Sequence, residues 1–360
     1  MTTTASDRDL VVETVRDILG AHEPFVLDAG TAWDAPLWAD LAAAGLTGVG
    51  VPEEAGGSGG ETGDAVAITA TLAAGAAAVP VAEHLLVAAP ALLAAGLELP
   101  DPAEPLTVAT GGVVHAEPVD DGDGPGRWTL TGTAAEVPWA GVARHVAVLA
   151  AAPAGIEGEV LALVDTSGLA TTEARNLAGE PRGSLVLGGT PAAAALLPPA
   201  AAAQVRARLA LARAVQISAA AEQVLAWTVT YAGERQQFGR PLGKFQAIQT
   251  HAAVMAGEVT ATAALVDAAV QALDRGADPV AAAAAAKVRA GAAASTVAAL
   301  AHQVHGAIGF TQEHRLHHLT RRLWSWRDEG GNERTWAEVL GVALLTGGPD
   351  DLWPALTRVV

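Results

Sequence analysis

Cysteine is absent from the 360 residues. That excludes a disulfide framework and any thiolate-held metal. Lysine is nearly absent, with only Lys244 and Lys287. Arginine therefore carries the cationic work, and its planar fork suits phosphate. Aromatic residues make up 4% of the chain. The opening MTTTASDRDL is polar and lacks the basic and apolar stretches of a secretory leader. No long, strongly apolar run stands out, and the alanine runs are too weakly hydrophobic to span lipid. These absences predict a cytoplasmic protein with no membrane partner. The formal charge is −18 and the pI is near 4.8. Such a chain repels nucleic acid and anionic lipid. An anionic ligand would need a local arginine cluster or helix N-termini.

What is present falls into three textures. Residues 1–103 have helical apolar spacing in LVVETVRDIL, LWADLAAAGL and DAVAITATLAAGAAA. Ser6 and Asp9 have capping-box spacing before the first of these. Residues 104–198 switch to a period of two in RWTLTGTAAEV, HVAVLAAA, EVLALVDTS and GSLVLGG, which predicts a small β domain. DDGDGPG, residues 120–126, reads as a hairpin or surface loop. Residues 199–360 return to helices, with alanine-rich runs at 201–234, 245–274 and 279–305. Short turns between them predict an antiparallel four-helix bundle. The fold class is mostly α with a small middle β domain.

Three motifs have ordinary readings. GGSGG, Gly56 to Gly60, matches a nucleophile-elbow pattern but has no identifiable acid or histidine partner. A flexible loop is expected instead. His314, His317 and His318 have one-face helical spacing, yet no third metal ligand is indicated. No metal is expected. Arg315, Arg321, Arg322 and Arg327 read as a solvated helix face.

RQQFGRPLGKFQAIQTH, residues 235–251, is less ordinary. It puts Arg235, two glutamines and Phe238 at the end of one helix. It then turns through Gly239, Pro241 and Gly243 into another. This ordered set resembles the signature of the acyl-CoA dehydrogenase family. LWADLAAAGLTGVGVPEEAGGSGG and VPVAEHLL are similar to the family's N-terminal helical domain. WTLTGTAAEVPWAGVARHVAVLA is similar to its β domain. QVHGAIGFTQEHRLHHLTRR, Gln303 to Arg322, resembles its Gln-x-x-Gly-Gly-x-Gly-Phe segment.

The resemblance implies FAD, an acyl-CoA substrate and α,β-dehydrogenation, with electrons passed to an electron-transfer flavoprotein. A carboxylate would take the α-proton while the β-hydrogen leaves as hydride to the flavin. Arg235 would reach the FAD pyrophosphate of a neighbouring subunit, and Phe238 would lie against the dinucleotide. Gln237 and Gln246 would supply amide hydrogen bonds. Gln303, Gly306 and Ala307 would meet the adenine end, with Ala307 replacing the usual second glycine.

The catalytic glutamate is missing. The family's position falls on Gly330, and its alternative position on an earlier helix falls near Leu209. A one-residue shift makes Glu329 a weak candidate, ahead of Asp328 and Glu333. The segments that hold the flavin ring within one subunit do not match either. The motifs kept are those a subunit offers to its neighbour's FAD. This pattern resembles the base-lacking subunit of actinobacterial α2β2 acyl-CoA dehydrogenases, which act on CoA thioesters of steroid side chains. It implies a homologous partner subunit carrying the glutamate. Two other readings stand beside it: a self-sufficient homo-oligomer using Glu329, and a non-redox structural or acyl-CoA-binding paralogue.

Overall fold

Asp7 and Asp9 favour the positive end of the first helix, α1 (Asp7–Ala21). It begins the computed structural model, which describes residues 7–22, 33–119 and 126–346. Ser6 and the loop at residues 120–125 lie outside the described residues. The carboxylate of Asp34 caps α2 (Ala35–Ala43), accepting from the Leu37 amide at 3.1 Å. In the glycine-rich loop that follows, the Ser58 hydroxyl donates to the Gly45 carbonyl at 2.6 Å. Gly57 lies so close to the Val51 backbone that a side chain there has no room. The serine is a loop staple.

After α3 (Thr62–Ala74) come α4 (Val81–Glu83), a π turn (His84–Ala88) and α5 (Ala89–Ala94). Pro90 explains the π turn, because it has no N–H to offer the Leu86 carbonyl four residues earlier. Arg208 reaches that carbonyl at 3.5 Å. His84 is buried between the Thr47 carbonyl and the Leu106 amide. Burial pushes its pKa down to about 4, so the ring is neutral.

Alternating side chains then build a seven-stranded sheet from β1 (Leu106–Ala109), β2 (Gly112–Pro118), β3 (Gly126–Pro138), β4 (His145–Ala151), β5 (Glu159–Asp165), β6 (Thr171–Thr172) and β7 (Arg182–Leu197). The order is β1-β4-β2-β3-β7-β5, with β6 on β7. Because β5 also pairs with β4, the path closes on itself. Val114, Leu130, Val148, Val160 and Leu185 fill its core. β3 carries two non-glycine residues at positive φ, Glu136 at 52° and Trp139 at 58°. The Trp139 indole donates to the buried Glu83 carboxylate at 3.1 Å.

Five longer helices follow: α6 (Pro199–Glu234), α7 (Gln246–Asp274), α8 (Val280–His305), α9 (Leu316–Asp328) and α10 (Glu333–Thr346). A short hairpin, β8 (Gln236–Gln237) with β9 (Arg240–Pro241), separates α6 from α7. The chain forms two compact units, Met1–Ile68 with Ala78–Ala212, and Thr69–Ala77 with Arg213–Val360. In the first, Arg206 grips Glu159 through both terminal nitrogens at 2.6 Å. In the second, α8 packs on α7, α9 and α10. Ala283, Ala286, Ala290 and Ala294 are buried along it, and such small side chains let helix axes approach closely. One helix, α7, is long and apolar enough to cross a membrane by length and composition. The sequence reading underrated it because alanine and valine add hydropathy without a strongly apolar run.

Lys287 of α8 is fully buried. Its ammonium donates to the carbonyls of Trp326, at 3.1 Å, and of Arg327. These are among the last carbonyls of α9, which lack helical donors. Burial, and then the nearby Arg213, push its pKa down to about 7 against the pull of Glu333, Glu329 and Asp328. The folded value lies below the ordinary one. The unfolded chain therefore holds more protons between about pH 7 and 10.5, and Lys287 makes stability rise with pH across that window. Its maximal slope is about 1.4 kcal/mol per pH unit. Urea unfolding of wild type and Lys287→Met should show the difference moving toward the wild type from pH 7 to pH 10. Parallel pH profiles would refute this assignment.

Candidate functional site

Helix α6 ends at Glu234, although the Arg235 amide still donates to the Tyr231 carbonyl at 2.8 Å. The expected direct helix–helix turn is instead a miniature hairpin. Gln237 pairs with Arg240, leaving Phe238 and Gly239 as a two-residue loop. Their φ values are 53° and 78°. A tight hairpin loop with both φ positive matches the strand twist, and Asn-Gly is its usual sequence. Phenylalanine at positive φ costs about 1–2 kcal/mol. Burial does not repay that cost, because Phe238 is 89% exposed. Its ring meets Phe245 edge-on at 6.1 Å, and Arg240 lies over Phe245 at 4.1 Å. A 3-10 turn, Leu242–Lys244, leads into α7, whose first residue is Gln246. Arg235, Gln237, Phe238 and Gln246 are all exposed.

The second motif lies where α8 ends. Gly306 follows the helix at φ 64° and ψ −144°, a conformation that favours glycine. Ala307 is outside the positive-φ set, so the alanine departure brings no backbone strain. Gln303, Gly306 and Ala307 are exposed. With Ala299, His302, Phe310 and Trp324 they line a concavity of about 500 Å³.

The chain's one tyrosine joins the two motifs. Tyr231, one turn before Arg235, stacks on His305 at 4.4 Å and 19°. Its hydroxyl donates to the His305 carbonyl at 3.4 Å. The hairpin and the Gly306 turn are thereby fastened to the same end of the helical unit. Sequence reasoning missed Tyr231, His302, Phe310 and Trp324, because their pairing appears only once the helices pack.

The histidines and arginines differ from expectation. His314 precedes α9, and its Nδ1 accepts from the Leu316 amide at 3.1 Å, so it does not share a helical face with His317 and His318. Burial, and then His317, Arg322 and Arg321, push His318 down to about 4. Among the described residues no cluster of three His, Cys, Asp or Glu side chains could hold a metal. The arginine strip is no solvated face. Arg315 covers Trp227 at 4.2 Å, Arg322 is buried and donates to the His318 carbonyl, and Arg327 pairs with Glu333 at 2.6 Å.

Glu329 stands apart from the two motifs. It ends α9 just before Gly330, and its carboxylate meets the Arg213 guanidinium at 2.9 Å. Arg213 is 1% exposed and also donates to Gln216 at 2.7 Å. It sits on α6 about six turns before Arg235, roughly 30 Å along the helix axis. Leu209, one turn further back, is buried and apolar.

Comparison with known proteins agrees with this architecture. The model for "Acyl-CoA dehydrogenase, N-terminal domain" matches residues 5–98, and that for "Acyl-CoA dehydrogenase, C-terminal domain" matches residues 202–344. The chain is 30% identical over 329 residues to the acyl-CoA dehydrogenase IpdE2 of Mycobacterium tuberculosis, covering 89% of this chain and 92% of that protein. It superposes on the ChsE4-ChsE5 complex from Mycobacterium tuberculosis with TM-score 0.85 at 25% identity, covering 96% of this chain and 99% of that one. For the steroid ACAD Tcur3481-Tcur3483 the TM-score is 0.82 at 29% identity, covering 95% and 98%. On its two matched domains and its helix–β–helix order, the chain belongs to the acyl-CoA dehydrogenase family.

Proposed function

We propose that this chain is the FAD-clamping, base-lacking subunit of a heteromeric acyl-CoA dehydrogenase. Its partner would be a homologous subunit that carries the catalytic glutamate. The substrate class is an acyl-CoA thioester, with a steroid side chain as the acyl group, and electrons leave to an electron-transfer flavoprotein. One observation carries the reading. Arg235, Gln237, Phe238, Gln246, Gln303, Gly306 and Ala307 are all exposed, on two segments joined by Tyr231 and His305. Residues so placed offer themselves outward. A chain of net charge −18 has concentrated Arg235, Arg240 and Lys244 at this corner, which suits a pyrophosphate. The strained, outward Phe238 suits a planar surface supplied by another molecule.

Within this reading Arg235 binds phosphate oxygens and the amides of Gln237 and Gln246 fix the dinucleotide's course. The bare Gly306 turn lets backbone approach the cofactor. Bound FAD would supply the two-electron acceptor for α,β-dehydrogenation. Glu329 serves the fold, because its carboxylate is taken up by a buried arginine. The likeness to the steroid ACAD and to the ChsE4-ChsE5 complex supports the substrate class and the unlike partner.

Flavin released from the lone chain, and from the chain co-expressed with the homologue encoded beside it, tests this directly. The expected result is little flavin alone and one flavin per pair of unlike chains together. One flavin per chain in the lone protein would sink the reading. Within the complex, Arg235→Ala removes a charge-assisted contact worth about 1.5–3 kcal/mol. Flavin affinity should then drop about ten- to a hundredfold, and unchanged retention would remove the clamp assignment. Glu329→Gln should lower the melting temperature yet keep turnover within about twofold, since breaking a buried pair destabilises without touching chemistry. A hundredfold loss of turnover with flavin retained would make Glu329 the base. Phe238→Asn creates an Asn-Gly loop and should stabilise the chain by about 1 kcal/mol. The same change should weaken flavin retention, and stability without that loss would show the ring to be dispensable.

A further inference from the structure

His302 is a buried imidazole with only one nitrogen satisfied. Its Nε2 meets the Thr320 hydroxyl at 2.9 Å. Its Nδ1 is sealed from solvent and has no hydrogen-bond partner. An unsatisfied buried polar atom costs about 1–3 kcal/mol, and leucine in its place would avoid that cost. Burial, followed by His317 and His314, lowers the pKa of His302, so the ring is neutral at neutral pH. A neutral imidazole has one donor and one acceptor nitrogen.

The surroundings of Nδ1 are kept open. A Cβ on Gly309 would come within 3.2 Å of it and within 3.1 Å of His305 and Leu316. Gly309 is not at positive φ, so the backbone does not demand glycine there. Phe310 stacks on His302 at 4.3 Å and 25°, yet is itself 71% exposed. Trp324 lies nearly parallel to His302, 12° apart at 6.1 Å. Gln303, with one amide donor group and one acceptor, borders the same concavity of about 500 Å³. That volume lies within the roughly 300–1,000 Å³ of small-molecule sites.

We propose that His302 is a base-reading residue for a purine of adenine type, with Phe310 as an aromatic cover that turns aside to admit it. The ring edge brings a nitrogen or amino group to Nδ1, its face stacks on the aromatic set, and Gln303 reads a second edge position. The proposal rests on the flavin reading in one respect, that it takes the adenine of FAD as the occupant.

The test uses ADP and GDP as probes, titrated calorimetrically into the two-subunit complex after flavin removal. Wild type should bind ADP about tenfold more tightly than GDP. His302→Leu should bring the two within about twofold, and His302→Gln, which keeps a polar edge, should restore part of the preference. Gly309→Ala should behave like His302→Leu. The proposal is overturned if wild type does not distinguish ADP from GDP. It is equally overturned if His302→Leu keeps the preference and merely raises the melting temperature, as a core histidine would. Failure here leaves flavin bound and sensitive to Arg235→Ala, whereas failure of the flavin reading removes that sensitivity as well.

Discussion

A single ring stack between Tyr231 and His305 fixes the end of the helical unit on which the functional argument depends. The helices it joins are alanine-rich, and alanine packs closely but specifies register poorly. A smooth helix slides on its neighbour with little change in contact, because methyl groups make shallow ridges and grooves. Register must then come from a few larger or polar side chains. Tyr231 on His305, Trp227 under Arg315 and Lys287 beneath the α9 carbonyls do this work. Each of these contacts bridges two helices, and together they tie α6, α8 and α9. The hairpin and the Gly306 turn inherit their positions from them.

The three-part architecture was legible in the sequence because its signals are periodic. The change from helical spacing to alternation near residue 104 announces strands, and β1 starts at Leu106. The hairpin between α6 and α7 was not legible, for a definite reason. Its loop is Phe-Gly, whereas the recognisable signal for that turn is Asn-Gly. The atypical residue hid the hairpin from sequence reasoning, and the same residue is the strained one. A local rule broken at an exposed aromatic marks a site where something other than the chain's own stability is served.

His314 shows a second limit of sequence reading. Spacing of three and four residues places side chains on one face only if one helix contains them all. The helix here starts at Leu316, after His314 has turned to cap it. The arginine strip fails for a related reason. Charge at helical spacing implies solvent only when no aromatic or carbonyl lies in reach, and Arg315 and Arg322 each have one. These partners come from residues whose proximity appears only when α6 and α9 pack or α9 coils.

The charges divide into two kinds with opposite consequences. Arg213, Glu329 and Lys287 are turned inward and committed to each other and to helix ends. Removing one partner would leave a buried group uncompensated, so each is held in place by the others. Arg235 and Arg240 are exposed at the hairpin, where an acidic chain offers the strongest attraction to an anion. Nothing inside this unit compensates the strain at Phe238. Strain of that kind persists in a fold when the bound state lowers it or uses it. The inward set stabilises the subunit by itself, whereas the outward set becomes favourable only when another molecule meets it. This division is the physical form of a subunit that gives its binding surface away.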